Sequence, residues 1–83
     1  NLPQINLGEC KGVCRIAHLH DNLPGVLAHV NHVLGEENIN VSFQSLTEGE
    51  LGYVVTDVAQ TPSAATLEAL RNIEGTIRMR VIS

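Results

Sequence analysis

Two stretches of helical period, each flanked by stretches of period two, limit what this 83-residue chain can fold into. From Pro24 to about Glu36, Val26, Leu27, Val30, Val33 and Leu34 recur on one helical face, with His32 and Gly35 opposite. After Thr61-Pro62, Leu67, Leu70 and Ile73 repeat the pattern and Glu68 and Asn72 take the other side. Gly75 follows where a left-handed cap would close this second helix. The remaining runs are extended. Val13 to His20 is mostly apolar, Ile39, Val41 and Phe43 alternate with Asn40, Ser42 and Gln44, Gly52 to Val58 is β-branched and aromatic, and Ile77, Met79 and Val81 alternate with Arg78 and Arg80. Thr47-Glu48-Gly49-Glu50 joins the second and third runs as a hairpin. The order is βαββαβ.

That order predicts an α+β domain of ferredoxin-like type, with an antiparallel four-stranded sheet and two helices on one face. Ile39, Val41, Phe43, Ile77, Met79 and Val81 are expected to meet the helices. Asn40, Ser42, Gln44, Arg78 and Arg80 then occupy the other face, which looks too polar for a second buried layer. Tyr53 is expected to pack or to cap a sheet edge. Open edges on so small a domain favour edge-to-edge pairing of two copies.

Composition narrows the function classes. Five Lys and Arg against nine Asp and Glu leave no basic footprint for phosphate backbones, and one Phe, one Tyr and no Trp leave no stacking platform, so nucleic acid is not an expected partner. No apolar stretch approaches the ~20 residues that span a bilayer, so no membrane is expected and the reading is cytoplasmic. Cys10 and Cys14 would strain an extended segment if bridged and are read as free thiols, Cys14 as a small buried apolar residue. Residues 1–8 have the look of an interdomain connector, leaving residues 9–83 as the domain of a longer protein.

The most distinctive local stretch is His18-Leu19-His20-Asp21-Asn22-Leu23-Pro24-Gly25-Val26-Leu27. Pro suits a first helical turn, Asn22 can cap or accept, and His20 can donate or accept. Together they gather unpaired N–H groups of a helix start beside two hydrogen-bonding side chains, which suits the carboxylate of a small zwitterion. From these ten residues alone, a simple helix cap fits as well as a ligand site. Asn40, at the start of the second strand, adds a carboxamide on the polar parity, and a strand-end role fits it too. His18 and His20 point the same way along a strand, while His29 and His32 fall towards solvent on a helix. No carboxylate or Cys completes a ligand set, so no metal is expected and the histidines are read as solvated or edge groups. Glu48 and Glu50 read as solvated turn charges. No nucleophile, acid–base pair or phosphate loop has the required spacing, and the chain is not expected to be an enzyme itself.

These stretches, with Asn38-Ile39-Asn40-Val41, Gly52-Tyr53-Val54-Val55-Thr56-Asp57 and Gly75-Thr76-Ile77-Arg78, resemble ACT domains, the small regulatory modules of amino-acid metabolism. Asn-x-Pro-Gly-Val-Leu indicates an ACT domain in general. The His-x-His-x-Asn prefix, Gly-Tyr-Val-Val and Gly-Thr-Ile-Arg are similar to the C-terminal regulatory domains of D-3-phosphoglycerate dehydrogenases, NAD-dependent enzymes of the first step of L-serine synthesis. The resemblance implies a homodimer of such domains within a larger homo-oligomer, with L-serine bound between subunits as a feedback inhibitor. Its implied ligands are His20, Asn22, Pro24, Gly25 and Val26 of one subunit with Asn40 and Val41 of the neighbour. NAD belongs to the parent enzyme, and no cofactor is expected here. Leu23 stands where the family often has Arg, and Asp21 where it often has Glu. A dimerisation domain without an effector is the alternative.

Overall fold

The computed structural model describes residues 8–82 and has the element order β1 (Cys14–Asp21), α1 (Val26–Glu36), β2 (Val41–Glu48), β3 (Leu51–Val58), α2 (Ala64–Arg71) and β4 (Thr76–Val81). The strands form one antiparallel sheet in the order β2-β3-β1-β4, the ferredoxin-like arrangement read from the sequence. The expected connector lies outside the described residues except for Gly8.

Even-numbered residues of β1 face the helices. Cys14 and Ile16 join Val26, Val30 and Leu34 of α1, Leu70 of α2, and Ile39, Val58, Ile73 and Met79 in the main core. Each such side chain contributes roughly 1.5–3 kcal/mol on leaving water, which is why the apolar stripe of α1 fixes its orientation. Cys10 and Cys14 are free thiols, and burial raises the pKa of Cys14.

Three expectations about the sheet faces need correction. Phe43 pairs with Asp57 on the face away from the helices, and Gln44 pairs with Thr56 on the helix side, because the register slips between Val41 and Phe43. One extra residue in a strand inverts the facing of everything after it. Gln44 accordingly donates to Thr56 Oγ1 and exchanges hydrogen bonds with Asn31 of α1. Val41, Ile77 and Val81 are exposed rather than packed under the helices, Val41 and Val81 at strand ends and Ile77 at the register shift of β4.

The face away from the helices does hold a buried layer. Ala17, Leu19, Tyr53 and Val55 form a second apolar cluster there, so Tyr53 packs on a central strand and caps no edge. Of the polar residues expected on this face, Arg78 and Arg80 lie on the edge strand β4, whereas the middle of β1 and β3 presents Ala17, Leu19, Tyr53 and Val55 here. The register sets Arg80 beside Ala17 and Arg78 beside Leu19, a placement in which long aliphatic stems can cover apolar neighbours. At the end of this face Asp57, fully buried, accepts from Arg15 Nε at 2.7 Å, Arg15 Nη2 at 2.9 Å and the Lys11 N–H at 2.7 Å. The same guanidinium reaches the carbonyls of Gly8 and Glu9 at 2.8 and 3.0 Å, stitching the start of the described chain to the sheet.

Gly75 has a left-handed φ of 92°, but α2 ends earlier, with Asn72 at its C-cap. The glycine serves the turn into β4 instead, where a Cβ would press on Leu23.

Candidate functional site

The site is built where β1 gives way to α1. Asp21 ends the strand, and Pro24 and Gly25 turn the chain. Gly25 takes the N-cap position at φ 83°, a left-handed conformation that suits a residue without Cβ. Pro24 therefore precedes the cap rather than opening the helix. Asn22 does not cap either: its Nδ2 donates to the Gly49 carbonyl at 3.1 Å, strapping the turn to the β2–β3 hairpin. His29 is the first residue whose N–H reaches back into the helix, to the Gly25 carbonyl at 3.0 Å. The N–H groups of Val26, Leu27 and Ala28 precede that ladder.

A cleft of about 330 Å³ lies against this turn, lined by His20, Asn22, Leu23, Pro24, Gly25, Val26, Leu27, Ala28, Leu46 and Glu48. Five residues expected at a binding site, His20, Asn22, Pro24, Gly25 and Val26, thus converge on one opening. Leu46 and Glu48 come from the edge strand β2. Glu48 is exposed, as its sequence context predicts, but it ends strand β2 rather than sitting in the turn, and it lines the cleft. The signal for it is the hairpin register, which sets Glu48 opposite Gly52, itself opposite His20.

Asn40 and Val41 are elsewhere. The Asn40 carbonyl accepts from the Ala59 N–H at 2.9 Å, and Val41 begins β2, the strand that Glu48 ends. Seven residue steps of extended chain separate Val41 from the cleft end of the strand, about 23 Å. One chain cannot bring both sets of residues to one small ligand.

His18 and His20 are buried, 2% and 3% exposed, not solvated or at an edge. Their Nδ1 atoms lie 3.3 Å apart, and His18 Nε2 lies 2.8 Å from Thr76 Oγ1. Burial, with a smaller push from His20, lowers the His18 pKa to about 4; burial also lowers that of His20. Both rings are neutral at pH 7. Gly52 makes room for this arrangement, since a Cβ there would collide with the His20 ring. His29 and His32 are exposed, His32 beside Glu36 at 3.0 Å. Among the described residues no three His, Cys, Asp or Glu side chains converge as a metal ion requires. No helix among them is long and apolar enough to cross a membrane.

A βαββαβ sheet with a cleft at the opening of its first helix is a small ferredoxin-like domain, and comparison with known families agrees. Residues 16–78 match the AHAS small subunit-like ACT domain, and the chain belongs to the ACT family. It is also similar to the D-3-phosphoglycerate dehydrogenases of Haemophilus influenzae, 41% identical, and Escherichia coli K12, 38% identical; each match covers 99% of this chain and 20% of the relative. The enzyme of the same name from Dictyostelium discoideum is 32% identical over the same shares. The chain spans about a fifth of the length of these relatives.

Proposed function

We propose that this chain is the regulatory domain of an NAD-dependent D-3-phosphoglycerate dehydrogenase, and that L-serine bound between two copies of it reports product level to the enzyme. One observation carries the reading: five of the seven expected ligands converge on a single cleft, while the other two, Asn40 and Val41, stand at the opposite end of the exposed edge strand. Two copies related by a two-fold axis and paired antiparallel along β2 resolve the separation. A pairing centred between Gln44 and Ser45 sets Val41 of one copy opposite Glu48 of the other, and so brings Asn40 to the second copy's cleft. Each interface then holds two identical sites.

The chemistry of the cleft suits a small amino acid. The N–H groups that open α1 lie at the positive end of the helix dipole and suit a carboxylate. Glu48 suits an ammonium, and the carboxamides of Asn22 and Asn40 can donate and accept around a hydroxyl. Feedback follows by linkage. Serine that binds the paired arrangement more tightly than the alternative shifts the parent enzyme towards it, by no more than that difference in affinity. NAD and the reacting groups belong to the rest of the enzyme, in the cytoplasm.

Titration calorimetry of the dimeric chain with L-serine tests the proposal, with D-serine and Asn40→Ala as controls. Saturable heat with L-serine alone, lost in Asn40→Ala, is the expected result. No heat from a chain shown to be dimeric would leave a purely structural pairing domain.

A further inference from the structure

The cleft histidine is the end of a chain of polar atoms. His20 Nδ1 lies 3.3 Å from His18 Nδ1, His18 Nε2 lies 2.8 Å from the Thr76 hydroxyl, and that hydroxyl lies 3.4 Å from the Leu70 carbonyl. The atoms run from the cleft, under the helices, to the last turn of α2.

The far end sets the direction. The Leu70 carbonyl can only accept, and it stands at a helix C-terminus, whose negative dipole end favours donors. Thr76 has a single proton to give. Given to Leu70, it leaves the hydroxyl oxygen to receive from His18 Nε2–H. A neutral imidazole protonated at Nε2 has its lone pair on Nδ1, so His18 then accepts from His20 Nδ1–H. Burial keeps His18 neutral, as this requires. His20 is left with its Nε2 bare, on the side of the ring that lies over Gly52 towards β2.

We propose that Thr76 and His18 are positioning residues that hold His20 in its Nδ1–H tautomer, so that the cleft presents an acceptor there and selects the ammonium or hydroxyl of a small amino acid. This deepens the effector-binding reading and rests on it. Glu48, across Gly52 from His20, is an acceptor too, while the α1 opening is a row of donors. The two walls therefore read a zwitterion in one orientation, carboxylate to the helix and ammonium side to the strands.

The test is long-range proton–nitrogen correlation NMR of the ligand-free chain labelled with ¹⁵N-histidine, at neutral pH, for the wild type, Thr76→Val and Thr76→Ser. His20 is expected bare at Nε2 in the wild type, in mixed tautomers in Thr76→Val, and restored in Thr76→Ser. Calorimetry should find L-serine bound up to roughly tenfold more weakly by Thr76→Val, with recovery in Thr76→Ser, the loss of about one neutral hydrogen bond. A wild-type His20 protonated at Nε2, or a tautomer indifferent to Thr76→Val, would overturn the proposal whether or not serine binds. A bare Nε2 that depends on Thr76 in a chain that ignores serine would uphold the relay and overturn the effector reading instead.

Discussion

Gly52 sits beneath an imidazole, and that contact fixes what the position tolerates. Gly52→Ala forces a methyl into the His20 ring and is expected to destabilise the fold by about 1–3 kcal/mol, the usual cost of overpacking. Gly49→Ala, where a Cβ meets open space, is the control, and urea denaturation reads both. The histidines also predict how stability depends on pH. An unfolded His18 takes up its proton near its ordinary pKa of 6.5, the folded one only near 4. Between those values the unfolded state binds more protons, so stability is complete above pH 6.5 and falls as pH falls, by about 1.4 kcal/mol per pH unit at most. His20, shifted the same way, adds to the slope. Denaturation of the wild type at pH 7.5, 5.5 and 4.5 should show the loss, and His18→Gln should flatten it. A wild type equally stable at all three would refute the buried neutral pair. At this scale the sequence was partly legible. The facing of His18 and His20 followed from strand parity, but their burial did not, because it depends on helices packed over them from distant parts of the chain.

Among the elements, β2 carries the most consequence and was the least legible. All six elements lie close to where periodicity placed them, since each has its own repeat and its own boundary residues. The bulge in β2 has no such signature: Ile39, Val41 and Phe43 alternate as though the strand were regular, and the slip appears only in the pairing with β3. Glu48 was missed as a cleft residue for a related reason, because a hairpin turn read as four residues closes on two, Gly49 and Glu50, leaving Glu48 in the strand. The cap of α1 differs from expectation because the helix is capped at Gly25, three residues beyond Asn22, whose carboxamide bonds to the hairpin instead. As an edge strand, β2 also predicts how copies associate. Val41 is 41% exposed, so Val41→Lys should change stability by less than about 0.5 kcal/mol. If β2 is the pairing edge, the same substitution weakens self-association measured by analytical ultracentrifugation. Unchanged association would move the interface to the other free edge, β4.

Across the described residues, the sheet connects the proposed site to the segment from Gly8 to Lys11. The cleft lies at one end of β1 and β3, and the Arg15–Asp57 pair at the other, holding Gly8, Glu9 and Lys11 against the face away from the helices. Hydrogen bonding from Arg15 keeps the Asp57 carboxyl below the usual range, so this clasp persists at neutral pH. A site divided between two chains makes a demand that a site within one chain does not. Asn22→Ala and Asn40→Ala should each abolish L-serine binding in their own dimers. Mixed and allowed to exchange, the two variants form heterodimers in which one interface site carries both substitutions and the other carries neither. Calorimetry of the mixture should therefore recover wild-type affinity with one site per heterodimer. A mixture as silent as its components, although exchanged, would place the ligands within a single chain and contradict the account.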